Sequence, residues 1–228
     1  MSEGRLRPAV WAAAYAGPTL LMAAAVAASP VVAERLGVPL VVGWFACGSA
    51  MFAAMAAAGV LLLRREGRLR DWRDRVRLRR FDRAAARAGL RTLAWASLAA
   101  AGVLAALWAA GVAGRLPPPT LDVPNRVWWL PLVWLPYYLL NVGCEEFYWR
   151  GVLLPREEAT LGRRAWLLNG LGVTAFHLPL GWPLTLVVSP YLVAMARAAQ
   201  RSGNLWASLL LHGSLNAAAF AAAWAGVV

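Results

Sequence analysis

The sequence predicts an all-α, polytopic bundle of transmembrane helices, and three observations lead to this fold class. Of the 228 residues, 61% are hydrophobic and only 15% are charged, whereas soluble domains carry about 25% charged residues. Charge-free stretches recur along the chain, and several reach the roughly 20 residues that a bilayer-crossing helix needs. Arginines gather at alternate ends of these stretches. We therefore expect a multi-pass protein of the cell membrane with about seven spans.

The first two spans are predicted by long apolar stretches. The first covers 9–28, and at about 20 residues it exceeds the 7 to 15-residue apolar core of a typical signal peptide. We expect it to be a retained helix. The second covers 38–63 and is rich in Ala and Gly, which would let neighbouring helices approach closely.

Residues 64–91, called the basic segment below, contain twelve arginines and four acidic residues. The positive-inside rule favours a cytoplasmic loop. The interleaved Leu, Trp, Val and Phe leave a second interpretation open, in which the segment is an amphipathic helix on the membrane surface. We expect its arginines to contact anionic lipids.

Five further spans are predicted after the basic segment. The third, 92–112, ends before the prolines of 114–125, which cannot continue a helix. The fourth, 126–154, begins with interfacial tryptophans, and we expect Pro131 and Pro136 to bend it. The last three predicted spans are 166–177, 184–196 and 205–228.

The distribution of arginine predicts the orientation and the partners. With the N-terminus in the cytoplasm, 19 arginines lie in cytoplasmic segments and 3 in opposite ones, in agreement with the positive-inside rule. Because the net charge of +12 follows this topology rather than one basic face, we expect no nucleic-acid partner. The lysine-free, Ala- and Arg-rich composition favours a bacterial origin. We predict one membrane domain over 1–228, with N-terminal spans in 1–126 and a motif-bearing core in 127–228.

Three ionisable residues, Glu145, Glu146 and Arg150, follow directly on the apolar run 127–140. An ionised side chain at the membrane centre costs roughly 2.5 to 3.5 kcal/mol on insertion scales, so such residues mark functional sites by default. Glu146 and Arg150 are four residues apart and share a helix face, whereas Glu145 points roughly 100° away. We expect Glu146 to pair with Arg150, and Glu145 to find its partner on another helix.

The only two histidines of the chain, His177 and His212, lie in predicted spans that follow the glutamates, and Asn216 lies one turn after His212. Each histidine alone is explained by a hydrogen bond between helices. Together with Glu145, however, these groups would lack partners in hydrocarbon unless they met. We expect one polar cavity, nearer the cytoplasmic face.

Such a cavity suits amide hydrolysis by an activated water. A buried carboxylate can act as general base, a neutral imidazole can share the water, and His and Asn donors can stabilise an oxyanion. Cys47 and Cys144 lie in apolar runs and are expected to be packing residues. No cofactor is favoured. Zinc on Glu145, His177 and His212 stays open, because His and Glu are ordinary zinc ligands.

The ordered motifs Glu145-Glu146-x-x-x-Arg150, His177 and His212-x-x-x-Asn216 resemble E-E-x-x-x-R, a second-motif histidine and H-x-x-x-N. These are the motifs of the CPBP intramembrane proteases, the family of the type II CAAX prenyl endopeptidases and the bacterial Abi-type proteins. The resemblance covers about 139–220.

The resemblance implies hydrolysis of a peptide bond in a membrane-associated peptide or protein. Glu145 and His177 would activate water, and His212 and Asn216 would form the oxyanion site. Glu146 and Arg150 would orient their helix. In a bacterium a prenylated substrate would be unexpected.

One position departs from the family pattern. The second motif usually has Phe four residues before its histidine, where this chain has Val173. An aromatic wall of the site is therefore lost or supplied from elsewhere. The departure keeps an alternative open, a catalytically degenerate scaffold or immunity-type membrane protein.

Overall fold

The computed structural model describes residues 8–112 and 123–226, and in these ranges the chain forms helices and no strand. The first described helices are α1, Pro8–Leu36; α2, Leu40–Arg65; α3, Trp72–Arg75; and α4, Arg83–Ala109. The others are α5, Leu130–Glu146; α6, Leu154–Leu161; α7, Ala165–His177; α8, Trp182–Ser202; and α9, Trp206–Ala225. The predicted all-α bundle is confirmed.

The long helices lie where the seven spans are predicted, at α1, α2, α4, α5, α7, α8 and α9. By length and composition, α1, α2, α4 and α8 are apolar enough to cross a membrane. The number of spans and the cytoplasmic N-terminus stay predictions. Arg5, Arg7 and most of the proline-containing loop, 113–122, lie outside the described residues.

The bundle has two distinct ends. The connection 37–39 between α1 and α2 includes Gly37, whose positive φ of 63° favours glycine, and Pro39, which precedes the first residue of α2. Helix α2 then leads away from this connection to the basic segment. We call the end that holds the basic segment the basic end, and the end that holds 37–39 the opposite end.

The basic segment folds against the helices at the basic end. Val76 is fully buried there, and a Cβ added to Gly151 would lie 2.9 Å from the Val76 Cβ. The Leu205 amide donates to the Arg77 carbonyl at 2.9 Å, and the Asn204 side chain donates to the Arg80 carbonyl at 3.0 Å. These contacts fix the segment to the start of α9.

Paired ion contacts close the same end. The Arg77 guanidinium donates to both Glu158 carboxylate oxygens at 2.8 and 2.6 Å. Arg156 likewise forms a bidentate ion pair with Glu66, at 2.9 and 2.7 Å. Such paired hydrogen bonds hold both side chains in one geometry.

The interpretation of the basic segment as one amphipathic helix is therefore wrong. Helix α2 continues to Arg65, α4 already begins at Arg83, and α3 between them is only 4 residues long. The reason is visible at Arg77, whose φ of 57° lies outside the right-handed helical region. That conformation lets Val76 point into the bundle while the Arg77 side chain reaches Glu158.

The fourth predicted span differs from expectation at its end. Helix α5 ends at Glu146 and passes into a π-helical turn, Phe147–Leu153, that leads into α6. The bend expected at Pro131 and Pro136 stays a prediction. Single π-helical turns inside α-helices are rare and occur frequently at functional sites. The residues Tyr148, Trp149 and Leu153 of this turn are buried in the main hydrophobic core. The turn therefore lies at the centre of the bundle.

Helices α7 and α8 pack closely, and this contact positions the end of α7 that carries His177. We predict that Gly170→Ala destabilises the protein, because the added Cβ would lie 2.8 Å from the Val193 Cα. Overpacking of this kind costs about 1 to 3 kcal/mol. Thermal unfolding in detergent measures the effect. Gly102→Ala in α4 is the control, since no heavy atom lies within 4 Å of its added Cβ; equal melting temperatures for both variants would contradict the prediction.

Candidate active site

One cavity brings together four of the residues singled out by the motifs. It has a volume of about 720 Å³, and its lining includes Glu145, His177, His212 and Asn216. These side chains come from α5, α7 and α9. Glu146 and Arg150 do not line the cavity but lie directly behind it in the core.

Glu146 and Arg150 form the ion pair that the spacing predicts. Arg150 Nη1 donates to Glu146 Oε1 at 3.0 Å, and both side chains are fully buried. Arg150 Nη2 also donates to the Leu192 carbonyl of α8 at 2.9 Å. The pair therefore ties the π-helical turn to α8.

His212 completes this charged cluster from α9. Its Nδ1 lies 3.0 Å from the same Glu146 oxygen that Arg150 contacts. A carboxylate oxygen only accepts hydrogen bonds, so Nδ1 carries a proton. One carboxylate thus orients an arginine from its own helix and an imidazole from another.

Glu145 is buried but, in contrast to Glu146, it is not hydrogen-bonded. It is 1% exposed, and neither carboxylate oxygen has a hydrogen-bond partner among the described residues. Its nearest cation is Arg150, whose Nη1 lies 3.9 Å from Oε1. A carboxylate at a cavity wall with free lone pairs can accept hydrogen bonds from a molecule inside the cavity.

His177 presents one ring nitrogen to this space. Its Nδ1 lies 2.8 Å from the Val173 carbonyl, which can only accept, so Nδ1 carries the proton. In the neutral imidazole Nε2 then has the lone pair and can accept a hydrogen bond. The Phe176 ring packs edge-on against the imidazole, with 5.0 Å between centroids, and restricts its rotation.

Asn216 has two partners at the cavity wall. Its Nδ2 lies 3.2 Å from His212 Nε2 and donates to Asn141 Oδ1 at 2.6 Å. Asn141 is a site residue that the motifs missed. Its position one turn before Glu145, in the same polar stretch, was the available signal. Because Asn216 is engaged with both residues, it can donate to an oxyanion only after releasing one of them.

A second polar cluster supports the π-helical turn from outside the cavity. Asn169 of α7 donates to the Trp149 carbonyl at 2.9 Å and to Glu157 Oε1 at 3.2 Å. The Tyr15 hydroxyl donates to the same Glu157 oxygen. Glu157 belongs to α6, outside the predicted spans, and its burial raises the pKa of its carboxyl to about 7.

The cavity extends from Glu145 toward the opposite end, where its lining includes Pro30, Leu40 and Ala222. Its place nearer the cytoplasmic face stays a prediction. The length of the predicted span gave a depth for Glu145 only. It could not reveal that the packed basic segment and π-helical turn fill the space at the basic end.

Residues 127–218 match the family model of the type II CAAX prenyl endopeptidase Rce1-like proteins. The resemblance to the CPBP family is confirmed. The matched region extends from just before α5 into α9 and contains every cavity residue that the motifs predicted. It supports an intramembrane endopeptidase. Neither the curated proteins nor the solved structures gave a match to the chain.

Aromatic residues line the cavity although the position of the family motif's phenylalanine holds Val173. Val173 itself is fully buried and does not line the cavity. Aromatic side chains reach the cavity from four other helices, including Phe45 of α2, Trp134 of α5, Tyr191 of α8 and Phe220 of α9. Other parts of the bundle therefore contribute aromatic residues to the cavity wall.

The zinc alternative places Glu145, His177 and His212 on one ion. Among the described residues, no three His, Cys, Asp or Glu side chains are grouped so that they could hold a metal. His177 Nδ1 and His212 Nδ1 are both engaged in hydrogen bonds, so only their Nε2 atoms could serve as ligands.

We predict that Arg150→Ala and Glu145→Gln have different effects on folding. Removing Arg150 leaves Glu146 buried without its main counter-charge, which typically costs about 3 to 5 kcal/mol. Glu145→Gln replaces a carboxyl that has no hydrogen-bond partner in the described structure with a neutral group of the same shape. Folded yield in detergent and thermal unfolding measure both. An Arg150→Ala protein as stable as wild type, with a collapsed Glu145→Gln protein, would reverse the assigned roles.

Proposed function

We propose that the protein is a glutamate-dependent intramembrane endopeptidase that hydrolyses a peptide bond of a membrane-associated peptide or protein. The observation that carries this proposal is the contrast between the adjacent glutamates. Glu146 Oε1 accepts hydrogen bonds from Arg150 and His212, whereas Glu145 faces the cavity without a hydrogen-bond partner among the described residues. One acid therefore holds the site and the other is free to react.

In the proposed reaction, Glu145 and His177 bind the attacking water. Glu145 accepts one water proton while the water oxygen attacks the carbonyl carbon of the scissile peptide bond. His177 Nε2 accepts a hydrogen bond from the other water proton and orients the oxygen. The C–N bond then breaks, and the proton held by Glu145 passes to the leaving nitrogen. The products are a new amine and a new carboxylic acid, which carries the second water proton until it ionises to the carboxylate.

His212 and Asn216 are the proposed donors for the oxyanion that forms on the substrate carbonyl. Each of the two side chains can donate to the oxyanion only if one of its hydrogen bonds or its protonation state changes. His212 Nε2 receives the Asn216 amide, so His212 can donate from that atom only when both ring nitrogens carry protons. Asn216 can donate when its contact with His212 or Asn141 gives way to the substrate.

The proposed setting is the cell membrane, with the basic segment on the cytoplasmic side. Its exposed arginines, such as Arg70, Arg73 and Arg75, are proposed to contact anionic lipid headgroups. Each basic side chain near such a surface contributes about 1 kcal/mol of attraction. The packing of Val76 and Arg77 against the bundle keeps this surface at the basic end.

Metal dependence is decided by direct analysis. The proposed mechanism needs no zinc, so active purified protein should contain less than one equivalent and keep its activity in a chelator. Stoichiometric zinc, lost together with activity and restored by adding zinc, would establish the variant with Glu145, His177 and His212 as ligands.

We predict that Glu145→Ala abolishes peptide cleavage while the protein still inserts and folds. A general base contributes about 10²- to 10⁴-fold to a rate, so His177→Ala should also be strongly impaired. Mass spectrometry of membrane peptides should show the uncut substrate accumulating in cells that express Glu145→Ala in place of wild type. Ser214→Ala, on the exposed face of α9, is the matched control and should cleave normally. Wild-type cleavage by folded Glu145→Ala protein would refute the proposal and favour a scaffold.

A further inference from the structure

We infer that the substrate reaches the site from the end of the bundle opposite to the basic segment, as an extended apolar peptide segment. Under the predicted orientation this is the non-cytoplasmic side of the membrane. The inference rests on the proposed function for the chemistry, but the direction of access comes from the cavity itself.

Most of the cavity lining comes from the parts of the helices that are remote from the basic end. Helix α1 contributes residues of its second half, from Met22 to Pro30, and α2 contributes residues of its first half, from Leu40 to Phe52. Helix α9 lines it from His212 as far as Ala223, two residues before its end. Among the described residues, none in the basic segment, the π-helical turn or α6 lines the cavity.

Exposure changes in the same direction along the cavity. Glu145, at its inner end, is 1% exposed, whereas Leu184, at the start of α8, is 41% exposed. Pro30 is also exposed, and Ala222 is partly exposed. The lining therefore passes from a buried inner end to an accessible rim at the opposite end.

The basic end is closed by contacts that a substrate would have to break. Bidentate ion pairs join Arg77 to Glu158 and Arg156 to Glu66. Beneath them Val76 is fully buried against Gly151. A path to Glu145 from this side would cross both the ion pairs and the buried core of the π-helical turn.

The chemistry of the wall selects an apolar occupant. Between the rim and Glu145 the lining is largely aliphatic and aromatic, with stacked pairs Trp134–Phe220 and Phe45–Tyr137 at 4.2 and 4.7 Å between ring centroids. The volume of about 720 Å³ lies within the range of ordinary ligand sites, about 300 to 1,000 Å³. A short apolar peptide segment matches both the wall and the volume, and its scissile bond would lie at the inner, polar end.

Single cysteines at the two ends test this direction in the full-length protein. The background carries Cys47→Ser and Cys144→Ser, and Ala222→Cys reports on the rim while Ala159→Cys, exposed on α6, reports on the basic end. Sealed vesicles of defined orientation are treated with a membrane-impermeant maleimide. We expect Ala222→Cys to react from the non-cytoplasmic side and Ala159→Cys from the cytoplasmic side. Leu184→Cys is a second rim reporter in case Ala222→Cys folds poorly.

A bulky maleimide then links labelling to substrate access. Modification of Ala222→Cys should lower the rate of hydrolysis of a quenched fluorescent apolar peptide by at least about 10-fold. Modification of Ala159→Cys should leave this rate unchanged. Labelling of the rim from the cytoplasmic side, or full activity with the rim blocked, would overturn the inference. Sidedness of labelling does not depend on catalysis. A correctly sided but inactive background protein, with no difference from Glu145→Ala, would overturn the proposed function instead.

Discussion

The buried contact between Glu146 and Arg150 is the interaction on which the rest of the structure depends. Two opposite charges are placed inside an apolar bundle, and each would be very costly there alone. Each of the two residues also has a partner on another helix. Arg150 donates to the Leu192 carbonyl of α8, and Glu146 accepts a hydrogen bond from His212 of α9. One ion pair therefore fixes three helices around the cavity, and leaves Glu145 on its wall without such a partner among the described residues.

The two ends of the bundle divide the remaining tasks. At the basic end, Val76 and the pairs Arg77–Glu158 and Arg156–Glu66 fill and close the space behind the π-helical turn. At the opposite end the helices leave an apolar cavity that leads to the polar residues. Under the proposed function, the packed basic end shields the charged cluster of Glu146, Arg150 and His212, while a substrate segment can approach from the opposite end.

The sequence predicted the helices and the members of the site better than their surroundings. Charge-free lengths located the long helices, and i,i+4 spacing alone predicted the contact of Glu146 with Arg150, because both signals are local. The π-helical turn was missed, since it depends on packing of Tyr148 and Trp149 against distant helices and on the Asn169 side chain donating to the Trp149 carbonyl. The fold of the basic segment was missed for the same reason: Val76 packs against the distant Gly151, and Arg77 binds the distant Glu158. The contact of Asn141 with the site could not be predicted, because it depends on α9 bringing Asn216 beside it.

A double-mutant cycle on the charged pair tests the central claim most directly. The free energy of unfolding of detergent-solubilised protein is measured for wild type, Glu146→Gln, Arg150→Met and the double variant. If each charge is retained because of the other, the double variant will be less destabilised than the sum of the single variants, with a coupling energy of about 1 to 3 kcal/mol. Additive effects, within about 0.5 kcal/mol, would show that Glu146 and Arg150 contribute independently and that the site is held together in some other way.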